Sequence, residues 1–324
     1  MNPPTSDQVV ATLRRVFGPQ WIVDVHGDDI AIEHKQAGSP FRPARRPPSW
    51  AELLASLDSA FGDVGYPRSD PLPLRWGKET DFVISAIQAL DPHVKYKEPF
   101  TYREGFLAQP VVRLNARRDA DGHLIAGRVT SFVNTSLVRR IASVEEHAAT
   151  VDVWLTVLSK IGLHARHIKT YGSATTWQRR EVSGITLRFA HAGMPIGDLV
   201  LIWNTDEPAY MVTDLGSGLE RLRLARTRGD WARTVFGDLA EAVNTDTLDA
   251  VRTLTLMLGS GVRPSARGPG SAARRLLQSI PAGETSLGSS AAVRATHDYW
   301  SLVTRLQTPW HEIARLIDDR NGHG

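Results

Sequence analysis

The stretch Asp214-Leu215-Gly216-Ser217-Gly218-Leu219-Glu220-Arg221 decides how the rest of the chain is interpreted. It contains a carboxylate, then two glycines at alternate positions, then an amphipathic run that continues to Leu224. Glycine lacks a Cβ, so it permits positive φ and lets a ligand lie on the backbone. A Gly-rich turn that leads into a helix also gathers unpaired N–H groups that suit an anion. The pattern predicts a turn and then a helix, with Asp214 placed to hold a substrate ammonium and Arg221 placed to bind a phosphate.

The order Asp-x-Gly-x-Gly-Leu-Glu-Arg at 214–221 resembles motif 3 of the alanyl-tRNA synthetases, members of the class II aminoacyl-tRNA synthetases. Ile202-Trp203-Asn204 repeats the Ile-Trp-Asn that lies shortly before motif 3 in that family. The resemblance implies an α+β fold, in which an antiparallel sheet is flanked by helices and followed by a small helical C-terminal region. The plainer alternative is that 214–221 is only a turn followed by a surface helix.

Residues 109–115 and 128–134 alternate like the two strands of an antiparallel hairpin with a long basic tip. An arginine and an aromatic ring on facing strands can grip an α-phosphate and stack on a purine. Arg113 and Phe132 are similar to the motif 2 pair of the same family, in which the arginine binds the ATP α-phosphate and the Phe packs on adenine. That family has an acidic residue shortly after the Phe, whereas this chain has Asn134. The alternative is that Phe132 is sheet core and Arg113 a surface ion-pair partner.

The resemblance implies a full set of site residues. The catalytic residues are Arg113 on the α-phosphate and Arg221 on the γ-phosphate of a bent ATP. The ATP-binding set is Arg113, Phe132, Asn134, Gly216, Gly218 and Arg221. The amino-acid-binding set is Asp214, Asn204, Trp177 and Gly216, with Trp177 as the wall of a pocket for a small side chain. Mg2+ is expected to bridge the phosphates of ATP, which is the substrate.

Two further patterns have a functional and a plain interpretation. Arg267, Arg274 and Arg275 lie in a segment similar in order and spacing to the start of the helical tRNA-recognition region of the family. They are possible contacts to a tRNA acceptor stem, or solvated arginines at a helix-linking turn. His164 and His167 have a spacing found in metal sites, but no cysteine and no nearby carboxylate completes a set. No protein-bound metal is therefore expected.

The composition sets limits on the class of protein. The chain has 324 residues, 42% of them hydrophobic, a net charge of +3 and no cysteine. The absence of cysteine excludes a disulfide framework, a thiolate nucleophile and a thiolate zinc site. No run of about eighteen apolar residues is present, so no membrane partner is expected. We expect a cytoplasmic location, since the N-terminus shows no secretion signal.

Periodicity predicts several helices. The helix at Ser49–Phe61 is expected to start with a capping box formed by Ser49 and Glu52. Another is expected to start at Ser143 and to end at Gly162 as an αL cap, with His147 partly exposed on it. Further helices are expected at 7–17, 79–90, 246–258 and 297–319, the one at 246–258 amphipathic. A small hairpin is expected around Gly27-Asp28.

The resemblance divides the chain into three regions. Residues 1–100 are the poorly matched N-terminal part of the catalytic domain, 101–240 hold the core with motifs 2 and 3, and 241–324 form a truncated helical region. Motif 1, the dimer element of class II enzymes, has only Glu98-Pro99-Phe100 as a candidate. The chain is accordingly expected to be a monomer or a homodimer.

Three functions are weighed. In the first, the chain activates a small amino acid, expected to be L-alanine, as the aminoacyl-adenylate and transfers it to a non-tRNA small-molecule acceptor, as in antibiotic biosynthesis. In the second, alanine is loaded onto tRNA or a tRNA-like minihelix. In the third, the chain is a non-catalytic binding or regulatory protein. The first is favoured because the tRNA-binding, editing and oligomerising parts of alanyl-tRNA synthetases do not fit in 324 residues.

Overall fold

An eight-stranded sheet organises the structure, a computed structural model that describes residues 2–99, 102–115, 118–281 and 289–321. The strands are β1 (Trp21–His26), β2 (Asp29–His34), β3 (Gly105–Val112), β4 (Ser131–Ile141), β5 (Ile168–Arg179), β6 (Val182–His191), β7 (Met194–Asn204) and β8 (Met211–Gly218). Their order in the sheet is β1-β2-β5-β6-β7-β8-β4-β3. Each strand pair with a described register is antiparallel. The expected antiparallel sheet is confirmed.

Helices precede, separate and follow these strands along the chain. They are α1 (Ser6–Val16), α2 (Trp50–Gly62), α3 (Asp91–Val94), α4 (Val144–Lys160), α5 (Leu219–Thr227), α6 (Trp231–Phe236), α7 (Thr245–Gly259), α8 (Gly268–Ser279), α9 (Ser290–Ser301) and α10 (Trp310–Asn321). The α+β class expected from the resemblance is therefore confirmed. None of the helices in the described ranges is long and apolar enough to cross a membrane.

The chain folds into two compact units, each made of separate segments. The first unit comprises Met1–Asp70, Ser85–Ala108 and Asn134–Arg228, and the second comprises Pro71–Ile84, Gln109–Val133 and Gly229–Gly324. Strands β3 and β4 each have residues in both units. The division into regions 1–100, 101–240 and 241–324 stays a prediction. The motif 1 candidate lies partly outside the described residues, because Phe100 is not among them.

Alternation along the strands gives the first unit one apolar sheet face. Leu199 and Leu201 of β7 and Leu215 of β8 are fully buried, and α4 packs against both strands. Helix α1 packs against α4. Since successive strand residues point to opposite faces, the residues between these leucines lie on the face away from α4.

Several local predictions are confirmed by the helix ends and hairpins. The helix α2 begins with a capping box in which Ser49 Oγ accepts from the Glu52 N–H and Glu52 Oε2 accepts from the Ser49 N–H. Gly162 has a φ of 87° just after α4, as an αL cap requires. The hairpin around Gly27-Asp28 is formed by β1 and β2.

Three helix predictions are wrong in extent or character. The expected helix at 79–90 is only a 3₁₀ turn at Ala86–Ala89. The short helix α3 follows it directly and contains Pro92 in its first turn. The expected helix at 297–319 is two helices, because α9 ends at Ser301 and α10 begins at Trp310, directly after Pro309. The helix α7 is buried on all sides from Thr247 to Gly259 instead of being amphipathic, since α8, α9 and α10 pack around it.

His147 is fully buried on α4 instead of partly exposed. Its Nδ1 lies 2.9 Å from Thr213 Oγ1 of β8, and its Nε2 has no hydrogen-bond partner in the described part of the chain. Burial lowers the pKa of His147 to about 3 from the ordinary 6.5. The imidazole is therefore neutral in the folded protein at every pH near neutrality.

The free energy of unfolding should fall in mild acid because of His147. Below pH 6.5 the unfolded chain binds a proton at this ring that the folded chain does not bind, so stability is lost as the pH falls toward 3. We expect this group to remove about 2 kcal/mol between pH 7 and pH 5. Urea unfolding at both pH values measures it, and His147→Gln should lose that part of the pH dependence. The control His26→Gln, on the exposed side of β1, should keep it; equal pH slopes in wild type and His147→Gln would contradict the assignment.

Candidate functional site

The glycines of 214–221 do not form the predicted turn. The strand β8 continues through Gly216 to Gly218, and α5 begins at the next residue. Gly218 has a φ of −92°, and Gly216 is not among the described residues with positive φ. Gly216 pairs with Ser136 of β4 on one side and with Asp198 of β7 on the other. Pairing with β4 extends the strand through both glycines, and pairing with β7 reaches Gly216, so the unpaired N–H groups of the helix are those of the first turn of α5.

Asp214, Gly216 and Gly218 lie on the sheet face away from α4. The intervening Leu215 is fully buried and Ser217 nearly so, whereas these three positions are half-buried. Their partners on β7 and β4 share that face, since directly opposed residues point the same way. These partners are Val138 and Val200 for Asp214, Ser136 and Asp198 for Gly216, and Asn134 for Gly218.

Asp198 is a carboxylate of this face that the sequence reasoning missed. A Cβ added at Gly216 would lie 3.0 Å from Asp198 Oδ1, so the missing side chain makes room for this carboxylate. Asp198 and Asp214 are diagonal neighbours on adjacent strands, on the order of 7 Å apart at Cα. The signal in the sequence was a single acid at two-residue spacing before Val200 and Ile202.

Trp177 of β5 lies on the same face. Trp177 pairs with Gly184 of β6, and Gly184 in turn pairs with Ile202 of β7. The indole Nε1 donates to Thr186 Oγ1 at 3.0 Å, and a Cβ at Gly184 would lie only 2.5 Å from the ring. The ring is therefore fixed over β6, two strand spacings or about 10 Å from β8, which carries Asp214.

Asn204 is buried at the end of β7, and its amide is occupied by backbone groups. Nδ2 donates to the Val94 carbonyl at 3.0 Å, and Oδ1 accepts from the N–H groups of Asp206 at 3.1 Å and Glu207 at 3.0 Å. These bonds close the turn after β7 and hold α3 against the strand. The side chain of Asn204 therefore has a structural role. Its role in the amino-acid pocket stays a prediction.

Asn134 is also buried, at 4% exposure. Its Oδ1 accepts from Ser85 Oγ at 3.2 Å and from the Ala86 N–H at 2.9 Å, while Nδ2 donates to the Ser217 carbonyl at 3.2 Å. The side chain therefore joins β8 to the 3₁₀ turn at Ala86–Ala89. A carboxylate at this position could not donate to Ser217, which gives a physical reason for an amide here.

Arg221 occupies the first turn of α5 and is half-buried. Its Nη1 donates to the Pro195 carbonyl of β7 at 3.3 Å. The guanidinium is therefore directed toward the start of β7, close to the helix N-terminus, where the helix dipole also favours an anion.

Arg113 and Phe132 are brought together in the second unit. The guanidinium carbon of Arg113 lies 4.9 Å from the centre of the Phe132 ring, within cation–π range. Arg113 Nε donates to the Ile84 carbonyl at 2.7 Å, and its backbone N–H donates to the Thr130 carbonyl at 2.7 Å. The predicted pairing of the two side chains across a hairpin is thus present; their contacts to ATP stay a prediction.

The arginines of the C-terminal segment are exposed on one helix. Arg267 is the N-cap residue of α8, and Arg274 and Arg275 lie within it. None of the three makes a hydrogen bond or ion pair through its side chain to another described residue. This exposure fits both interpretations of the segment, so the contact to an acceptor stem stays a prediction.

Of the two histidines with metal-site spacing, His164 and His167, the second packs in an aromatic cluster. The ring of His167 lies 5.8 Å from that of His191, and Phe41 packs edge-on against both. Within the described ranges, no group of three or more His, Cys, Asp or Glu side chains is placed to hold a metal ion. Burial, and then the charge of Arg228, lower the pKa of His191 to about 4, so its ring is neutral at neutral pH.

Comparisons with known proteins give only a distant likeness to solved structures. No protein-family model matches the chain, and no curated protein sequence matches it. Among solved structures, the chain is similar to the pyrrolysyl-tRNA synthetase PylSc of Desulfitobacterium hafniense, with 16% identity over 57% of this chain and 69% of that chain and a TM-score of 0.36. A likeness this distant carries no argument about function.

Proposed function

We propose that the chain activates a small amino acid, L-alanine, with ATP to form the aminoacyl-adenylate, and then transfers it to a small-molecule acceptor other than tRNA. The observation that carries the proposal is the shared face of Asp214, Gly216 and Trp177, on a strand arrangement in which β8 leads directly into the helix of Arg221. The residue order at 214–221 is the one that resembles motif 3.

The amino acid would lie on the first unit. Its ammonium would bind Asp214, and its side chain would point across β7 toward the ring of Trp177. The floor between them is Val200, an apolar and nearly buried side chain. Because the ring and the carboxylate are separated by about two strand spacings, only a substrate of a few heavy atoms fits between them.

In the reaction, a carboxylate oxygen of the amino acid attacks the α-phosphorus of ATP. The bond from that phosphorus to the bridging oxygen breaks, and pyrophosphate leaves with the electron pair. Arg113 would hold the α-phosphate and Phe132 the adenine; Gly216, Gly218 and Arg221 would hold the rest of the nucleotide, with Arg221 on the γ-phosphate. Such a step needs positioning and charge neutralisation more than covalent help from the protein.

Asp198 fits the magnesium ion that such a reaction requires. Mg2+ takes oxygen ligands and is held through one or two carboxylates together with substrate phosphates. The Asp198 carboxylate occupies the space that a side chain at Gly216 would fill, on the same face as Asp214. When bound, the ion would neutralise part of the phosphate charge.

The proposal is tested by ATP–pyrophosphate exchange with each of the twenty amino acids. Exchange that depends on alanine, and to a smaller extent on glycine or serine, is the expected result. Failure of all twenty to support exchange would refute adenylate formation. Incubation with candidate amine, sulfamate and hydroxyl acceptors would then identify the second substrate.

Shortening Trp177 should widen the preference for the amino acid. Trp177→Ala removes the ring over β6, so the activation of valine relative to alanine should rise by about 10-fold or more, the usual effect of one or two methylenes. Trp177→Phe keeps a ring in place and should keep the preference for alanine. Relative kcat/KM values in the exchange assay measure both, and an unchanged preference in Trp177→Ala would place the pocket elsewhere.

Alanylation of tRNA or a minihelix is the second candidate, favoured by the exposed Arg267, Arg274 and Arg275 on α8. A charging assay with deproteinised tRNA separates the two, because only this function yields a labelled product that ribonuclease destroys. A non-catalytic binding protein is the third candidate, favoured by Asn134 at the position where the family has an acid. Calorimetry that shows ATP binding without turnover would support it.

A further inference from the structure

The second unit contains a cavity of about 450 Å³ that has no part in the proposed adenylate formation. It lies between residues 118–123 and the helix α8, beside the start of α7. Its polar wall includes Arg118, His123, Asp246 and Arg275, and its apolar wall includes Leu114 and Leu276. A volume of this size is typical of sites for small molecules.

Asp246 holds the polar wall in place. Its carboxylate accepts from Arg118 Nη1 at 2.9 Å, from His123 Nδ1 at 2.7 Å and from the Leu124 N–H at 3.0 Å. Partial burial raises the pKa of Asp246, but these hydrogen bonds together lower it below its ordinary value, so the group is ionised. One carboxylate therefore fixes two basic side chains at the cavity before any ligand arrives.

The cavity also has donors that are not used within the protein. Arg275 has no hydrogen bond or ion pair with any other described residue, although it lines the cavity. Arg118 bonds to Asp246 and to the Gly122 carbonyl through Nη1 alone, which leaves Nε and Nη2. Two guanidinium groups with unused donors match the oxygens of a phosphate.

One carboxylate narrows the class of ligand further. Asp121 lines the same cavity, and its side chain makes no hydrogen bond to a described residue. Its negative charge disfavours a ligand that is anionic throughout. A ligand with an amine at the end opposite its phosphate would instead pair with this carboxylate, while Leu114 and Leu276 contact an aliphatic body.

We propose that this cavity binds a small phosphate monoester with an amine at its other end, with the phosphate on Arg275 and Arg118 and the amine on Asp121. An aminoalkyl phosphate such as phosphoethanolamine has this chemistry. The site is independent of adenylate formation, and it differs from a surface contact to RNA because the cavity is lined by Arg275 and not by its neighbour Arg274.

His123 makes the binding depend on pH. Since Nδ1 contacts Asp246, protonation adds an N–H at Nε2 and so a third cationic donor. The hydrogen bond to Asp246 raises the pKa of His123, helped by the charges of Asp246, Asp119 and Asp121. Arg118, which shares Asp246, opposes protonation. Affinity should therefore be higher at pH 7 than at pH 9, a range in which the phosphate is largely dianionic.

Titration calorimetry of the full chain with phosphoethanolamine tests the proposal. Arg275→Gln should weaken binding by about 10-fold or more, because a charge-assisted hydrogen bond is lost. Arg274→Gln, the matched control one residue away on α8, should leave it unchanged. Asp121→Asn should weaken the binding of phosphoethanolamine but not that of ethyl phosphate. His123→Gln should remove the difference in affinity between pH 7 and pH 9.

Three results would overturn the proposal. The first is the absence of binding by phosphoethanolamine and ethyl phosphate at millimolar concentration. The second is an equal loss of affinity in Arg274→Gln and Arg275→Gln. The third is binding of a 5′-phosphorylated RNA minihelix but of neither small ester, which would assign the arginines to RNA.

Discussion

Replacing Asp214 by asparagine should lower kcat/KM for alanine in ATP–pyrophosphate exchange by about 100-fold. Asparagine is nearly the same size, so the half-buried position on β8 between Val138 and Val200 can accept it without repacking. The change removes the negative charge that would bind the substrate ammonium. A hydrogen bond between charged groups contributes about 1.5–3 kcal/mol, which corresponds to about 10- to 150-fold.

The effect of Asp214→Asn should appear mainly in the KM for alanine, because the ammonium is bound before and during the reaction. The KM for ATP should change little. Asp24→Asn, on the exposed side of β1, is the matched control and should leave the exchange unchanged. If Asp214→Asn retained full activity, the amino acid would not bind at this face.

Replacing Arg221 by glutamine should lower the exchange rate by about 100- to 1,000-fold, the usual cost of removing a positioned group that stabilises transition-state charge. The side chain lies in the first turn of α5, where the guanidinium and the helix N-terminus would both face the phosphates. Its bond to the Pro195 carbonyl orients the guanidinium toward the start of β7.

Arg221→Lys keeps the charge but loses the planar fork, so it should recover only part of the activity. The KM for ATP and kcat should both be affected, whereas the KM for alanine should not. Arg166→Gln, an exposed arginine outside any helix or strand of the site, serves as control. Equal activity in Arg221→Gln and wild type would show that this arginine has no role in the reaction, even if Asp214→Asn behaved as expected.

Local signals in the sequence were sufficient where the structure is also local. Ser49 and Glu52 define the start of α2 by bonding to each other, and Gly27-Asp28 connects β1 and β2. Such features depend on neighbours a few residues away. The same is true of Gly162, whose missing Cβ permits the positive φ that ends α4.

Predictions failed where pairing between distant segments overrides local preference. The two glycines of 214–218 suggested a turn, but pairing with β4 extends the strand through both of them, and β7 also pairs with Gly216. The strand β5 was missed, since its polar sequence and its register shift between Ser173 and Trp177 hide the alternation. Residues 79–90 have helical periodicity, yet Val83 pairs with Leu74 and Val112 through its backbone.

The sequence predicted individual residues for the candidate site, but it did not predict which of them are neighbours in space. Asp214, Arg221, Arg113 and Phe132 were predicted from the residue order and their roles stay predictions, while the contact of the last two is present. Asp198 was not identified, because its place beside Gly216 depends on the register of β7 against β8. That register is determined by the length of the connection after Asn204, whose buried amide closes the turn.

The junction at Gly218 has a consequence for evolution and engineering of this chain. Because β8 passes into α5 with no loop between them, one extra residue there would rotate the helix by about 100° about its axis and advance it by about 1.5 Å. Arg221 would then point to a different side of the sheet, although both elements would still fold. Substitutions at this junction should thus be tolerated far more often than insertions or deletions.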